Sequence, residues 1–283
     1  VRVSPMVDPA RSRWWAAGTP AEQADELNVL LRDPEVRAIV AHTGGQATIG
    51  YLDLIDLDAI RADPKPIIGY SDISVLHMAL HAKTGLVGFH ADIATHGFGS
   101  DWYTLGDEAR RSELVDLYTR VLTKAEAPGA LPAQEAWETW RPGSARGPLF
   151  GGLLNRLVLL RGTPFAPAVE RFDGAVFFWE ELERPVSRIW NDLHALRLSG
   201  VLDRIAGMVV GIPSEVTPHE AGGQRAELRD VVLDVLGRRD IPVLAQVDFG
   251  HTSPNLPLPI GVRAHVDADN RTLSLIEPAV VEG

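Results

Sequence analysis

The sequence predicts an α/β protein built on a parallel sheet, and three observations carry the prediction. Short apolar runs of strand length recur along the chain, at 37–42, 66–70, 175–179, 208–212 and 241–247. In the N-terminal part they alternate with helical segments, the pattern of strands buried on both faces and joined by crossovers. Nearer the C-terminus, 263–266 and 272–276 flank the turn Asp267-Ala268-Asp269-Asn270 and read as a hairpin.

Each element has a local reason. Thr19-Pro20-Ala21-Glu22 is a capping-box start, with Thr19 as N-cap, Pro20 in the first turn and Glu22 reaching back. Leu27, Leu30 and Leu31 give that helix an apolar stripe, and Asp33-Pro34 ends it. The run 37–42 reads as a short buried strand halted by Gly44-Gly45. The run 66–70 leads into Ser71-Asp72, and 73–81 has helical character, with Leu76 and Leu80 four apart.

From 101 to 146 the text changes. It is rich in charge, carries Trp102, Trp137 and Trp140, and contains Pro132 and Pro142. One helix fits at 107–122, followed by an irregular connector. A helix at 153–160 resumes the regular pattern. The expected organisation is an N-terminal α/β domain over 1–103, a connector or lid over 104–146, and a C-terminal β-rich domain over 147–283.

Composition narrows the function. The chain has 283 residues, 45% hydrophobic and 23% charged, so it can bury a substantial core in two domains. The net charge is -11 and no basic run occurs, which disfavours nucleic-acid polymers and anionic membrane surfaces as partners. The absence of cysteine excludes a thiol nucleophile and cysteine-ligated metal. No apolar stretch is long enough to span a bilayer and no secretory pattern opens the chain. It starts at Val1 without Met, which predicts a preceding segment.

Three reactive side chains stand just beyond apolar strands, where the mouth of an α/β site forms. Ser71 ends one strand and opens a helix, so its side chain and the neighbouring amides face the same way. Gly69-Tyr70-Ser71-Asp72 resembles a nucleophile elbow without its second glycine; Ser71 reads equally well as a helix N-cap. Glu180 follows Trp179 at a strand end and suits an acid that orients an imidazole, or an ordinary solvated carboxylate. His251, in Asp248-Phe249-Gly250-His251-Thr252, suits a general base or a plain loop histidine.

Other groupings point elsewhere. His77 and His81 are four apart on a helix, and His90, Asp92 and His96 lie close in sequence, but neither group has a zinc-site spacing, so no metal is expected. Gly44-Gly45 and Gly151-Gly152 match no phosphate-binding fingerprint, so no nucleotide cofactor is expected. Trp137 and Trp140 could stack on a base in a substrate, although packing is the commoner role of tryptophan.

Taken in order, these motifs resemble the LD-carboxypeptidase family, which includes muramoyl-tetrapeptide carboxypeptidases and microcin-immunity peptidases. Gly44-Gly45 with the following Asp56-Leu57-Asp58-Ala59-Ile60 is similar to the family's glycine pair and its next segment. Pro64-Lys65 through Gly69-Tyr70-Ser71-Asp72 looks like the nucleophile motif. Gly151-Gly152-Leu153-Leu154-Asn155, Gly162-Thr163-Pro164, Trp179-Glu180-Glu181 and Gly250-His251-Thr252-Ser253-Pro254 follow in the family's order. The resemblance implies a Rossmann-like N-terminal domain and a C-terminal β-rich domain sharing a triad of Ser71, Glu180 and His251. It implies an oxyanion hole from the amides of Gly45 and Asp72. Gly44, Trp179, Trp137 and Trp140 are the expected substrate contacts. The resemblance also implies a cytoplasmic homodimer without cofactor, acting on a small peptide or peptidyl-nucleotide.

The departures from the pattern fall outside the triad. His90 is followed by Ala91-Asp92 instead of Gly-Pro, and the expected asparagine after Gly152 is Leu153. The expected activity is amide hydrolysis through an acyl-enzyme. The Asp248-Phe249-Gly250-His251-Thr252 spelling favours the immunity branch, with removal of terminal D-Ala from murein tetrapeptide as the alternative. A reading of another class is a non-catalytic ligand-binding member of the fold.

Overall fold

The computed structural model of the chain describes residues 1–92, 94 and 106–282; His96 and Trp102 lie outside the described residues. The N-terminal half holds α1 (Pro20–Arg32), β1 (Ile39–Val40), α2 (Leu57–Ala62), β2 (Ile67–Gly69), α3 (Ile73–Thr84) and β3 (Gly88–His90). The capping box of α1 is formed in both directions: the Glu22 amide donates to Thr19 Oγ1 at 3.2 Å and the Thr19 amide to Glu22 Oε2 at 2.7 Å. β1, β2 and β3 are parallel neighbours, and β2 and β3 are buried along their whole length. The α/β class therefore holds.

After α4 (Glu108–Thr123) the chain builds a larger sheet. Its strands are β4 (Gly129–Ala130), β5 (Glu138–Arg141), β6 (Ser144–Leu153), β7 (Val176–Glu180), β8 (Gly207–Gly211) and β9 (Val243–Val247). β11 (Arg263–Asp267) and β12 (Thr272–Leu275) form the expected hairpin. The spatial order is β4–β12–β11–β6–β7–β8–β9–β5. β6 to β9 run parallel, and the remaining pairs are antiparallel. Helices α5 (Leu154–Leu160), α6 (Val186–Leu198) and α7 (Leu228–Leu236) pack in sequence through their apolar faces. Among the described residues no helix is long and apolar enough to cross a membrane.

Two expectations are corrected. The strand read at 37–42 contracts to Ile39–Val40, and Val40 is 44% exposed, because β1 lies at the open edge of the small sheet with one partner. The irregular connector is also not irregular throughout. Residues 129–146 supply β4, β5 and the start of β6, all belonging to the large sheet.

The two halves interlock at the end where the site forms. β10 (Leu258–Pro259), from the C-terminal half, adds antiparallel to β3, with Leu258 opposite His90. The Ile260 amide donates to the Gly88 carbonyl, and the next residue, Gly261, donates to the Leu149 carbonyl on β6. On the other flank the Leu153 amide donates to Ser74 Oγ at 2.9 Å, which pins the first turn of α3 to the end of β6. Carboxyl ends of β1, β2, β7 and β9 thus meet, as α/β sites require.

Candidate active site

Ser71 lies between β2 and α3 with φ of 62°. A left-handed backbone costs a non-glycine residue roughly 1–2 kcal/mol, and such strain persists only where neighbouring structure enforces it. Here the Tyr70 carbonyl accepts from the Ile73 amide and the Ser71 carbonyl from the Ser74 amide, so the helix begins immediately. Ser71 is not the helix cap. Asp72 takes the cap position, and its side chain makes no capping bond to α3.

The Asp72 carboxylate instead turns to the Gly44–Thr48 turn. Oδ2 accepts the amides of Ala47 at 2.8 Å and Thr48 at 2.9 Å. Oδ1 forms an ion pair with Arg156 Nε at 2.9 Å, and Arg156 Nη2 donates to the Gly45 carbonyl at 3.3 Å. Asp72 is 2% exposed. One arginine on α5 therefore ties the residue after Ser71 to the glycine pair. Gly44 faces Ser71 so closely that a β-carbon there would stand 3.2 Å from the Asp72 nitrogen and nearer still to the serine side chain. Gly45 has φ of +117°, which a side chain would disfavour.

Glu180 and His251 form the second part of the site. His251 Nδ1 lies 2.8 Å from Glu180 Oε2, and Glu180 is wholly buried while the histidine is partly open. A proton on Nδ1 donated to that carboxylate leaves Nε2 with its lone pair, the tautomer of a general base. Two glycines make room for the acid. A β-carbon on Gly250 would stand 2.4 Å from Glu180 Cγ, and one on Gly211 would stand 2.9 Å from Glu180 Cβ. The Tyr70 ring packs on His251, with centroids 4.8 Å apart, so the residue before Ser71 touches the histidine that follows β9.

Beside Glu180, Glu181 is buried too and collects donors. Asn155 gives its amide at 3.2 Å and Nδ2 at 2.7 Å, and the Leu182 amide adds another at 3.2 Å. Arg184 bridges Glu181 at 3.2 Å to Asp192 at 2.6 Å. Burial raises the Glu181 carboxyl to about 7, against the lowering effect of the Leu182 amide and Arg184. Arg156, Asn155, Glu181 and Arg184 escaped the reading of the sequence as site residues. The only signal was their closeness to the Gly151-Gly152 and Glu180 motifs.

The three tryptophans expected as substrate contacts are buried. Trp179 on β7 and Trp137 are 0% exposed, and Trp140 on β5 is buried as well. Trp137 Nε1 donates to Asp248 Oδ2 at 2.6 Å, and Trp140 Nε1 to Glu138 Oε2 at 2.6 Å. These two rings keep a satisfied N–H, Trp179 Nε1 has no hydrogen-bond partner among the described residues, and burial leaves none of the three a free face for stacking. Gly44, by contrast, does adjoin Ser71.

The histidines proposed and rejected as ligands are separated by their hydrogen bonds. His77 Nε2 faces the Ile67 carbonyl at 3.2 Å, and burial lowers its pKa to about 4. His81 Nδ1 faces the Leu86 carbonyl at 3.1 Å. Among the described residues no group of three His, Asp or Glu side chains comes together as a metal site.

The chain as a whole has recognisable relatives. Residues 1–91 match the LD-carboxypeptidase N-terminal domain and residues 146–266 the LD-carboxypeptidase C-terminal domain. The chain is 32% identical to a probable murein peptide carboxypeptidase of Bacillus subtilis, over 95% of this chain and 80% of that protein. It is 29% identical to the microcin C7 self-immunity protein MccF of Escherichia coli, over 94% of this chain and 81% of that one. A solved structure of MccF in complex with glutamyl sulfamoyl guanosine superposes with a TM-score of 0.85 at 25% identity, covering 98% of this chain and 86% of that one. Both domains of the family are thus present here in order, and the chain belongs to the LD-carboxypeptidase family.

Proposed function

We propose that the protein is a serine-type amidase of this carboxypeptidase family, and that its substrates are aminoacyl or peptidyl nucleotides. The observation that carries the serine mechanism is the 2.8 Å contact between His251 Nδ1 and the buried Glu180 carboxylate, beside a serine held at positive φ. His251 Nε2 takes the proton of Ser71 Oγ as the oxygen attacks the amide carbonyl. The amides of Gly45 and Asp72 receive the oxyanion. Glu180 balances the charge of the imidazolium, which then protonates the leaving amine, and water hydrolyses the acyl-enzyme.

The nucleotide branch draws its support from the likeness to MccF with its bound sulfamoyl guanosine conjugate. A second reading, removal of D-Ala from murein tetrapeptide, draws on the 32% identity to the Bacillus subtilis relative. The test offers an aminoacyl-sulfamoyl adenosine and murein tetrapeptide in parallel, with mass-spectrometric detection and Ser71→Ala as control. Cleavage of the first alone, lost in the variant, is expected. Cleavage of the tetrapeptide alone transfers the assignment to the second reading. If neither is cut and a fluorophosphonate leaves Ser71 unlabelled, a non-catalytic binding role replaces both. The reading includes a homodimer, which light scattering checks.

A further inference from the structure

Glu180 Oε2 is satisfied by His251, but Oε1 is buried and has no hydrogen-bond partner among the described residues. Both ring nitrogens of His90 are in the same condition, and His90 Nε2 stands 4.0 Å from that Oε1. Both side chains are 0% exposed. Two orphaned buried polar groups facing each other call for an explanation, because each alone costs free energy.

A direct hydrogen bond needs the two groups to approach by only about 1 Å. Among the described residues no other donor reaches Glu180 Oε1; Gly211 and Gly250 press on its stem, and Phe178 and Phe249 flank the imidazole with centroids at 5.5 and 6.1 Å.

We infer that His90 is a positioning residue for the Glu180 carboxylate: as the neutral tautomer with its proton on Nε2, it donates to Oε1 and turns Oε2 toward His251. The inference rests on reading Glu180 as the acid that orients the general base. The titratable groups around His90 are Glu180, His251, His77 and Tyr70. Burial first, then His77 and His251, hold the His90 pKa well below the ordinary histidine value, so the ring stays neutral where the enzyme would work. A neutral ring donates through one nitrogen only. The unused Nδ1 then carries a lone pair that meets no donor among the described residues.

The strand register makes the placement rigid. His90 ends β3 between Gly69 of β2, directly before Tyr70 and Ser71, and Leu258 of β10. Its ring meets Tyr70 edge-on with centroids 6.2 Å apart, and Tyr70 in turn packs on His251. A small-sheet histidine thus supports an acid on the large sheet, and the site is assembled across both.

The test joins a spectrum to kinetics. In protein labelled with 15N-histidine, long-range proton–nitrogen correlation should show His90 neutral and protonated on Nε2 from pH 5.5 to 8. His90→Leu should lower kcat about tenfold with KM nearly unchanged, and His90→Gln, whose amide N–H reaches the same region, should recover most of the loss. Thermal unfolding of both variants controls for folding. Protonation of His90 on Nδ1, titration within that range, or full kcat in a folded His90→Leu overturns the inference. Ser71→Ala separates this from the parent reading: if it keeps activity, the serine mechanism fails, while the His90 tautomer still answers for the contact with Glu180. Were wild type to cut neither substrate, the same spectrum decides through His251, whose Nδ1 proton should shift in His90→Leu and return in His90→Gln.

Discussion

Gly44 and Ser71 share a space that admits no side chain on the glycine: a β-carbon there would lie 2.6 Å from Ser71 Cβ and 2.8 Å from Oγ. Such contacts do not occur, so Gly44→Ala must push the serine or the turn aside. Displacement of a nucleophile by about 1 Å costs on the order of 100-fold in rate. The expected result for Gly44→Ala is a loss of that size in kcat/KM and in fluorophosphonate labelling, in a protein that still unfolds cooperatively.

Strain at Ser71 gives a second prediction. Its φ of 62° suits glycine better than any L-residue. Ser71→Ala removes the hydroxyl and keeps the strain, whereas Ser71→Gly removes both. Both variants should be inactive, and the glycine variant should be the more stable of the two by about 1 kcal/mol in urea unfolding. Equal stabilities would mean that the elbow is unstrained.

Comparison of sequence and structure shows why some of this was legible. Ser71, Glu180 and His251 each follow an apolar run, and buried parallel strands announce themselves by such runs. Strand β6 was hidden because its own text looks like a loop. Gly147 and Gly151 interrupt it where a β-carbon would fall 1.9 Å from the Gly174 carbonyl oxygen and 1.7 Å from the Phe178 carbonyl oxygen, so the close approach of β7 demands glycine. Around Trp137 and Trp140 the charge-rich text gave no sign of a strand, yet β5 lies at the edge of the large sheet and both rings are buried. The contacts of Arg156 with Asp72, and of His90 with Glu180, join residues far apart in the chain, and no spacing rule records them.

Arg156 carries a third prediction. Its removal leaves the Asp72 carboxylate, 2% exposed, without a counter-charge and frees the Gly45 carbonyl. Breaking a buried pair destabilises by several kcal/mol; Arg156 keeps about a fifth of its side chain in solvent, so about 2 kcal/mol is expected here. Arg156→Ala should show that loss in urea unfolding and at least about a tenfold fall in kcat/KM, because the turn bearing Gly45 loosens. Arg156→Lys should recover part of the stability and little of the rate, since an ammonium cannot serve both partners in one plane.

The last prediction concerns pH. Glu181 is buried and its carboxyl is raised from 4.5 to about 7, chiefly by burial, with Glu180 and Asp192 pushing the same way. A folded-state pKa above the unfolded one means that the native protein holds the extra proton between these values. Stability from this group is therefore complete below pH 4.5 and is lost as pH rises through 7. The full span amounts to about 3 kcal/mol. Glu181→Gln removes the titration while keeping an oxygen for Asn155. Urea unfolding of both proteins from pH 4.5 to 8 should show the variant gaining on wild type as pH rises, by up to that amount. Parallel curves would mean that the amides of Asn155 and Leu182, with Arg184, keep Glu181 ionised in the native state at every pH in that range.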